Sequence, residues 1–136
     1  MVEIIRNPSC PVLTLRIRQK TTVEDTKKYL SEISNNLKTK DSFGLLFDFS
    51  NGHIQRERGV LKLENEWFKG YRRSFKNQCF GVAMVTNSFL TLNIWKNIAA
   101  CLAKRTFGCE VGIFDCRSDA QMWLMDRYLL PQNTKN

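Results

Sequence analysis

The chain has 136 residues and a mass of 15.9 kDa, enough for one domain with its own core and too little for two. A hydrophobic fraction of 43% and a charged fraction of 25% exclude a disordered tail or a collagen-like repeat. Charge is the unusual quantity: 21 Lys+Arg against 13 Asp+Glu give +8 and a pI near 9.5, which directs attention to anionic partners.

Val2 to Ile5 reads as a short strand, turned through Asn7-Pro8-Ser9 onto a second strand over Val12–Arg18. In that second strand Leu13, Leu15 and Ile17 alternate with Thr14, Arg16 and Arg18, which predicts one buried face, one wet face and a place near the sheet edge. Thr22 followed three residues later by Asp25 has the form of a capping box. Leu30, Ile33 and Leu37 then recur at helical spacing, so a first helix runs to about Leu37.

Phe43–Phe49 (FGLLFDF) is apolar on both parities until Asp48, the pattern of a strand covered on both faces. Phe80–Val85 and Cys109–Phe114 read similarly. Between them lie two helical stripes, Val60/Leu63/Trp67/Tyr71 and Leu92/Trp95/Ala99/Leu102. A last helix starts at Ser118, with Gln121 as its capping-box partner, and buries Ala120, Trp123 and Leu124. The order β-β-α-β-α-β-α-β-α predicts an α/β fold with a mixed, mostly parallel sheet of four to five strands and covering helices. Residues 1–130 are expected to form a single domain and 131–136 a polar tail.

Five cysteines, an odd number with no C-x-x-C, argue for reduced thiols packed as small hydrophobes. No signal peptide is expected from Met1-Val2-Glu3-Ile4-Ile5-Arg6. Asn77–Trp95 holds 19 residues without a charge, but Thr86-Asn87-Ser88 interrupts it, so a strand, loop and helix are expected in place of a membrane span, and a cytoplasmic location follows.

The usual phosphate-binding glycine loops and the G-x-S-x-G elbow do not occur in the sequence. A sole histidine, His53, rules out a multi-histidine metal site. No catalytic residue, metal or cofactor is therefore expected. Ligands of open parallel sheets bind beyond the carboxyl ends of the strands. That edge would carry Asp48, Ser50, Asn51 and His53, then Thr86 and Asn87, then Asp115. Capping and turn-making are the competing roles for these polar residues. The positive surplus is concentrated late: residues 1–68 carry 11 basic and 9 acidic side chains, residues 69–136 carry 10 and 4. Lys69, Arg72, Arg73 and Lys76 crowd the second helix among Trp67, Phe68, Tyr71 and Phe75, as either a solvated face over a core stripe or a nucleic-acid surface.

The strand ending LLFDFS (Leu45–Ser50), the strand FGVAMVT (Phe80–Thr86) and the segment VGIFDCRSDAQMWL (Val111–Leu124), with Phe114, Ala120, Trp123 and Leu124, resemble the SpoIIAA-like members of the STAS superfamily over roughly residues 10–130. The resemblance implies a domain that binds partners or ligands and does not catalyse. Anti-anti-sigma members carry a phosphorylatable serine at the start of the helix after the Asp-ended strand. Here Gly52–Gly59 contains no serine or threonine, and Ser50 lies earlier, in the strand exit, so a phosphoserine switch is not expected.

The leading expectation is a regulatory or protein-interaction domain, in a homodimer or with an acidic protein selected by Arg56, Arg58, Arg72 and Arg73. A small-ligand or lipid-binding domain of the same fold is the alternative. Nucleic-acid binding through the basic second half comes third.

Overall fold

A computed structural model describes residues 2–6, 10–17, 20–49, 55–86 and 109–129. The expected turn at Asn7-Pro8-Ser9, the helix over Leu92–Leu102 and the polar tail lie outside the described residues.

Strands β1 (Val2–Arg6), β2 (Val12–Ile17), β4 (Phe43–Phe49), β6 (Cys79–Thr86) and β7 (Val111–Phe114) form one sheet in the order β1-β2-β4-β6-β7. β1 is antiparallel to β2, and the remaining pairs are parallel. Two-residue strands β3 (Lys20–Thr21) and β5 (Gln55–Arg56) make a separate parallel pair that the sequence pattern did not predict. The helices described are α1 (Val23–Thr39), α2 (Val60–Gln78) and α3 (Arg117–Leu129).

β4 is the middle strand, and its double burial follows from its composition. Phe43, Leu45 and Phe47 point into a core shared with Leu13, Leu15, Ile17 and Val82, roofed by Tyr29, Leu30 and Ile33 of α1 and Phe68 and Phe75 of α2. Leu46 points the other way, into a second core with Val12, Ala83 and Val85 roofed by Ala120 and Leu124 of α3. With helices on both sides, no face of β4 is left for polar side chains except at its carboxyl end.

α1 begins as its sequence predicts. The Thr22 hydroxyl accepts from the Asp25 backbone N–H at 3.0 Å, and the Asp25 carboxylate accepts from the Thr22 N–H at 3.1 Å. α1 and α2 are joined by the Tyr29 hydroxyl, which donates to the Glu64 carboxylate, while the Tyr29 ring meets Phe47 edge-on at 6.3 Å. The buried line of α2 runs through Val60, Phe68 and Phe75. Tyr71, expected in that line, is 38% exposed and stacks on Trp67 at 4.4 Å.

Two other expectations are corrected. β2 lies near the sheet edge, next to edge strand β1, but its polar face is largely covered: Thr14 is only 4% exposed and Arg16 is half-buried. α3 starts at Arg117, one residue before Ser118, and its first backbone bond runs from the Ala120 N–H to the Cys116 carbonyl. Ser118 therefore stands inside the first turn, not at the cap.

α3 approaches the sheet over glycines. Gly44 and Gly81 face one another across β4 and β6. A Cβ on Gly44 would lie 2.6 Å from Cε1 of Phe80, and one on Gly81 would meet Trp123 and Arg127 at 3.1 Å. Arg127 uses the space to donate from Nε to the Phe80 carbonyl at 2.6 Å, with its guanidinium 5.1 Å over the Trp123 ring. Gly44→Ala forces the Phe80 ring out of its seat, an overpacking expected to cost about 1–3 kcal/mol. Urea unfolding of the variant, monitored by tryptophan fluorescence, should show a lower midpoint with an unchanged slope.

Candidate functional site

The carboxyl ends of β4, β6 and β7 are in register, with Asp48 opposite Val85, Phe49 opposite Thr86, and Val85 opposite Phe114. The sheet thus brings Asp48, Thr86 and Asp115 to one edge, as the β-α pattern predicts. Ser50, Asn51, His53 and Asn87 lie outside the described residues.

The three residues brought together have different environments. Asp48 was expected at a binding surface, yet it is 2% exposed. Its carboxylate lies 3.8 Å from Nε of Arg16, and Arg16 also reaches Glu3 at 3.9 Å. Glu3, Arg16 and Asp48 occupy one row across β1, β2 and β4, so acid, base and acid alternate laterally. Both separations exceed hydrogen-bond length, and the attraction is electrostatic. Asp48 therefore stands buried at the carboxyl end of β4, beside Arg16. Thr86 is half-buried.

Asp115 is exposed beside Cys116 and Asp119, with the two carboxylates and the thiol within 4.8 Å of one another. That corner of the edge is acidic, and it disfavours an acidic partner by like charge.

The cationic residues are arranged differently. The loop before α2 is tied to the start of α1: the Glu57 N–H donates to the Thr21 carbonyl at 2.8 Å, and the Glu57 carboxylate accepts from the Val23 N–H at 3.4 Å. This anchoring fixes the backbone of Arg56 against Thr21 and leaves Arg58 exposed at the entry to α2. Along α2, Lys62, Lys69, Arg72, Arg73 and Lys76 are all exposed. At 3.6 residues per turn they fall within an arc of about 100°, whose centre lies about 100° round the helix from Phe68 and Phe75. The ion pairs found among the described residues involve none of them. Of the two acids in α2, Glu64 is turned to Tyr29, leaving Glu66 alone on the cationic side. Lys62 was missed in the sequence because it sits seven residues before Lys69, outside the dense cluster; helical spacing was the signal that could have found it.

Among the described residues, Cys10 and Cys79 are buried and Cys109 is half-buried. Burial pushes the Cys79 thiol well above its usual range, the neighbouring Cys109 thiol adding to the effect, and burial also raises Cys10. Cys116 is exposed.

No family model matches the chain, and no curated protein matches it by sequence. A solved structure does. An uncharacterized protein of the DUF3478 family from Shewanella loihica PV-4, described as having a SpoIIAA-like fold, superposes with a TM-score of 0.67. The match covers 91% of this chain and 92% of that one at 16% identity. The fold is SpoIIAA-like. At that identity the SpoIIAA-like likeness concerns architecture: the mostly parallel five-stranded sheet with helices on both faces. No helix among the described residues is long and apolar enough to cross a membrane.

Thiolate is the species that reacts with alkylating agents. Among the described cysteines, iodoacetamide applied to the native protein near pH 8 should therefore modify Cys116 first, while Cys10 and Cys79 should react only after denaturation. Peptide mass mapping of a time course checks the order.

Proposed function

We propose that this SpoIIAA-like chain is a non-enzymatic, STAS-like regulatory domain that binds an acidic protein segment along the exposed face of α2, with Arg58 extending the surface at its entry. The observation that carries this reading is the row of five exposed α2 cations outside the ion pairs found among the described residues. A solvated helix face ordinarily intersperses both signs, as Glu24 and Lys27 do on α1. The α2 face does so only at Glu66. Its cations are carried on a helix held to the core by Phe68, Phe75 and the Tyr29–Glu64 bond, so they are presented by a rigid support.

The absence of a histidine other than His53, together with the burial of Asp48, supports binding over catalysis. Nucleic acid is the competing polyanion; salt weakens both ligands, and their relative affinity at equal charge separates the two. Binding to duplex DNA or RNA would lose affinity steeply with salt through counterion release.

The expected outcome uses a defined probe, a Glu/Asp-rich peptide of about 20 residues, against a duplex of equal charge. Fluorescence anisotropy should show saturable peptide binding, and Arg72→Glu with Arg73→Glu should weaken it roughly tenfold. Equal binding by the double variant contradicts the reading, and tighter retention of the duplex than of the peptide favours nucleic acid.

A further inference from the structure

Successive residues of a strand face opposite sides of its sheet, and β6 breaks that alternation once. Against β4, Phe43 pairs with Cys79 but Gly44 pairs with Gly81, so Phe80 is an extra residue in β6. The side chains agree with a β-bulge there. Phe80 packs in the α3-side core, and a Cβ on Gly81 would meet Trp123 and Arg127 of the same helix, so two successive residues share one face. Cys79 and Val82, which bracket them, both enter the α1/α2-side core.

The bulge decides what Cys79 meets beside β7. Val82 pairs with Val111, and its N–H donates to the Glu110 carbonyl at 2.9 Å. With Phe80 and Gly81 together opposed to Glu110, the next residues back are Cys79 and Cys109. Cys109 packs, like Val111, against the α1/α2-side core, so both thiols lie on one face. In an unbroken alternation Cys79 would face α3 instead. The two thiols are neighbours: burial raises the Cys79 thiol most, and the Cys109 thiol raises it further by a hydrogen bond and by charge. Adjacent strands run about 4.8 Å apart, within the roughly 4.4–6.8 Å that a disulfide spans between Cα atoms. The other described thiols are placed elsewhere. Cys10 lies in the α3-side core, 3.5 Å from the Met125 sulfur, and Cys116 lies beyond the far end of β7.

We propose that Cys79 and Cys109 are a redox-active pair that a hydroperoxide converts to a disulfide between β6 and the entry to β7. Cys109 is half-buried and Cys79 is 3% exposed, so the oxidant reaches Cys109 first. The Cys109 thiolate attacks a peroxide oxygen, the O–O bond breaks, and Cys109 becomes a sulfenic acid while the departing hydroxide is protonated to water. Cys79 gives up its proton and attacks the Cys109 sulfur, the S–O bond breaks, and a second water departs. Two thiols and one hydrogen peroxide become one disulfide and two waters, with two electrons passing from the sulfurs to the peroxide. Cys79 follows directly on α2, its N–H donating to the Phe75 carbonyl, so the bond ties the end of that helix to β7. The pair does not depend on the acidic-segment surface, and either can fail without the other.

The test treats the full reduced chain with a small excess of hydrogen peroxide, quenches with N-ethylmaleimide under denaturing conditions and maps peptides without reduction. A linked peptide joining Cys79 to Cys109, lighter by two hydrogens, is expected, with loss of maleimide label at both and reversal by dithiothreitol. Cys10 should keep its label. In Cys79→Ser, and independently in Cys79→Ala, dimedone should trap a sulfenic acid on Cys109. Circular dichroism of each variant reports whether the fold is kept. A bond from Cys79 or Cys109 to Cys10, Cys101 or Cys116 in preference, or full labelling of Cys79 once peroxide has oxidised Cys116, would overturn the proposal. A dimedone adduct on Cys109 as abundant in the wild type as in the Cys79 variants would do the same.

Discussion

The structure depends on the burial of β4 from both sides. Leu45 and Leu46 point in opposite directions and are both fully buried, so neither face of the sheet can be left to water. Every larger feature answers to that demand. α1 and α2 must cover one face and α3 the other, and parallel strands separated by helices supply the covers. The same constraint decides where function can be placed. A sheet roofed on both sides offers its strand ends and the outer faces of its helices, and nothing of its own surface.

The two roofs are built by different means. On the α1/α2 side, large aromatic rings fill the space, with Phe43 and Phe75 meeting at 5.8 Å and Trp67 and Phe75 at 5.7 Å. On the α3 side, glycines admit Phe80, Trp123 and Arg127 close to the backbone. α2 is consequently a thickly supported helix that can carry five exposed lysines and arginines on its outer side. Its cations lie on the α1/α2 side of the sheet, whereas Asp115 and Asp119 lie at the end of β7 and the start of α3.

Much of this was legible in the sequence, and the reasons are local. FGLLFDF does not alternate, which a strand exposed on one face would do, and its double burial follows directly. Thr22 and Asp25 are three residues apart, and their reciprocal bonds need nothing beyond the first turn of α1. What escaped depends on partners far along the chain. Thr14 and Arg16 look solvated until β1 and β4 are placed beside them and Arg16 finds Glu3 and Asp48. Gly44 reads as a neutral strand residue until Phe80 lies over it. Arg127 counts toward net charge in the sequence, yet in the fold its Nε is bonded to the Phe80 carbonyl. The carboxyl edge was foreseen as a place, but the burial of Asp48 and the acidity around Asp115 shift the candidate surface to α2.

The contact between an acidic ligand and α2 can be read directly by zero-length carbodiimide crosslinking. With a Glu-rich peptide bound, amide bonds should form to Lys62, Lys69 and Lys76, and excess salt should suppress them. Crosslinks spread equally over Lys27, Lys28, Lys38 and Lys40 would show that net charge alone attracts the peptide, and would contradict a binding face on α2.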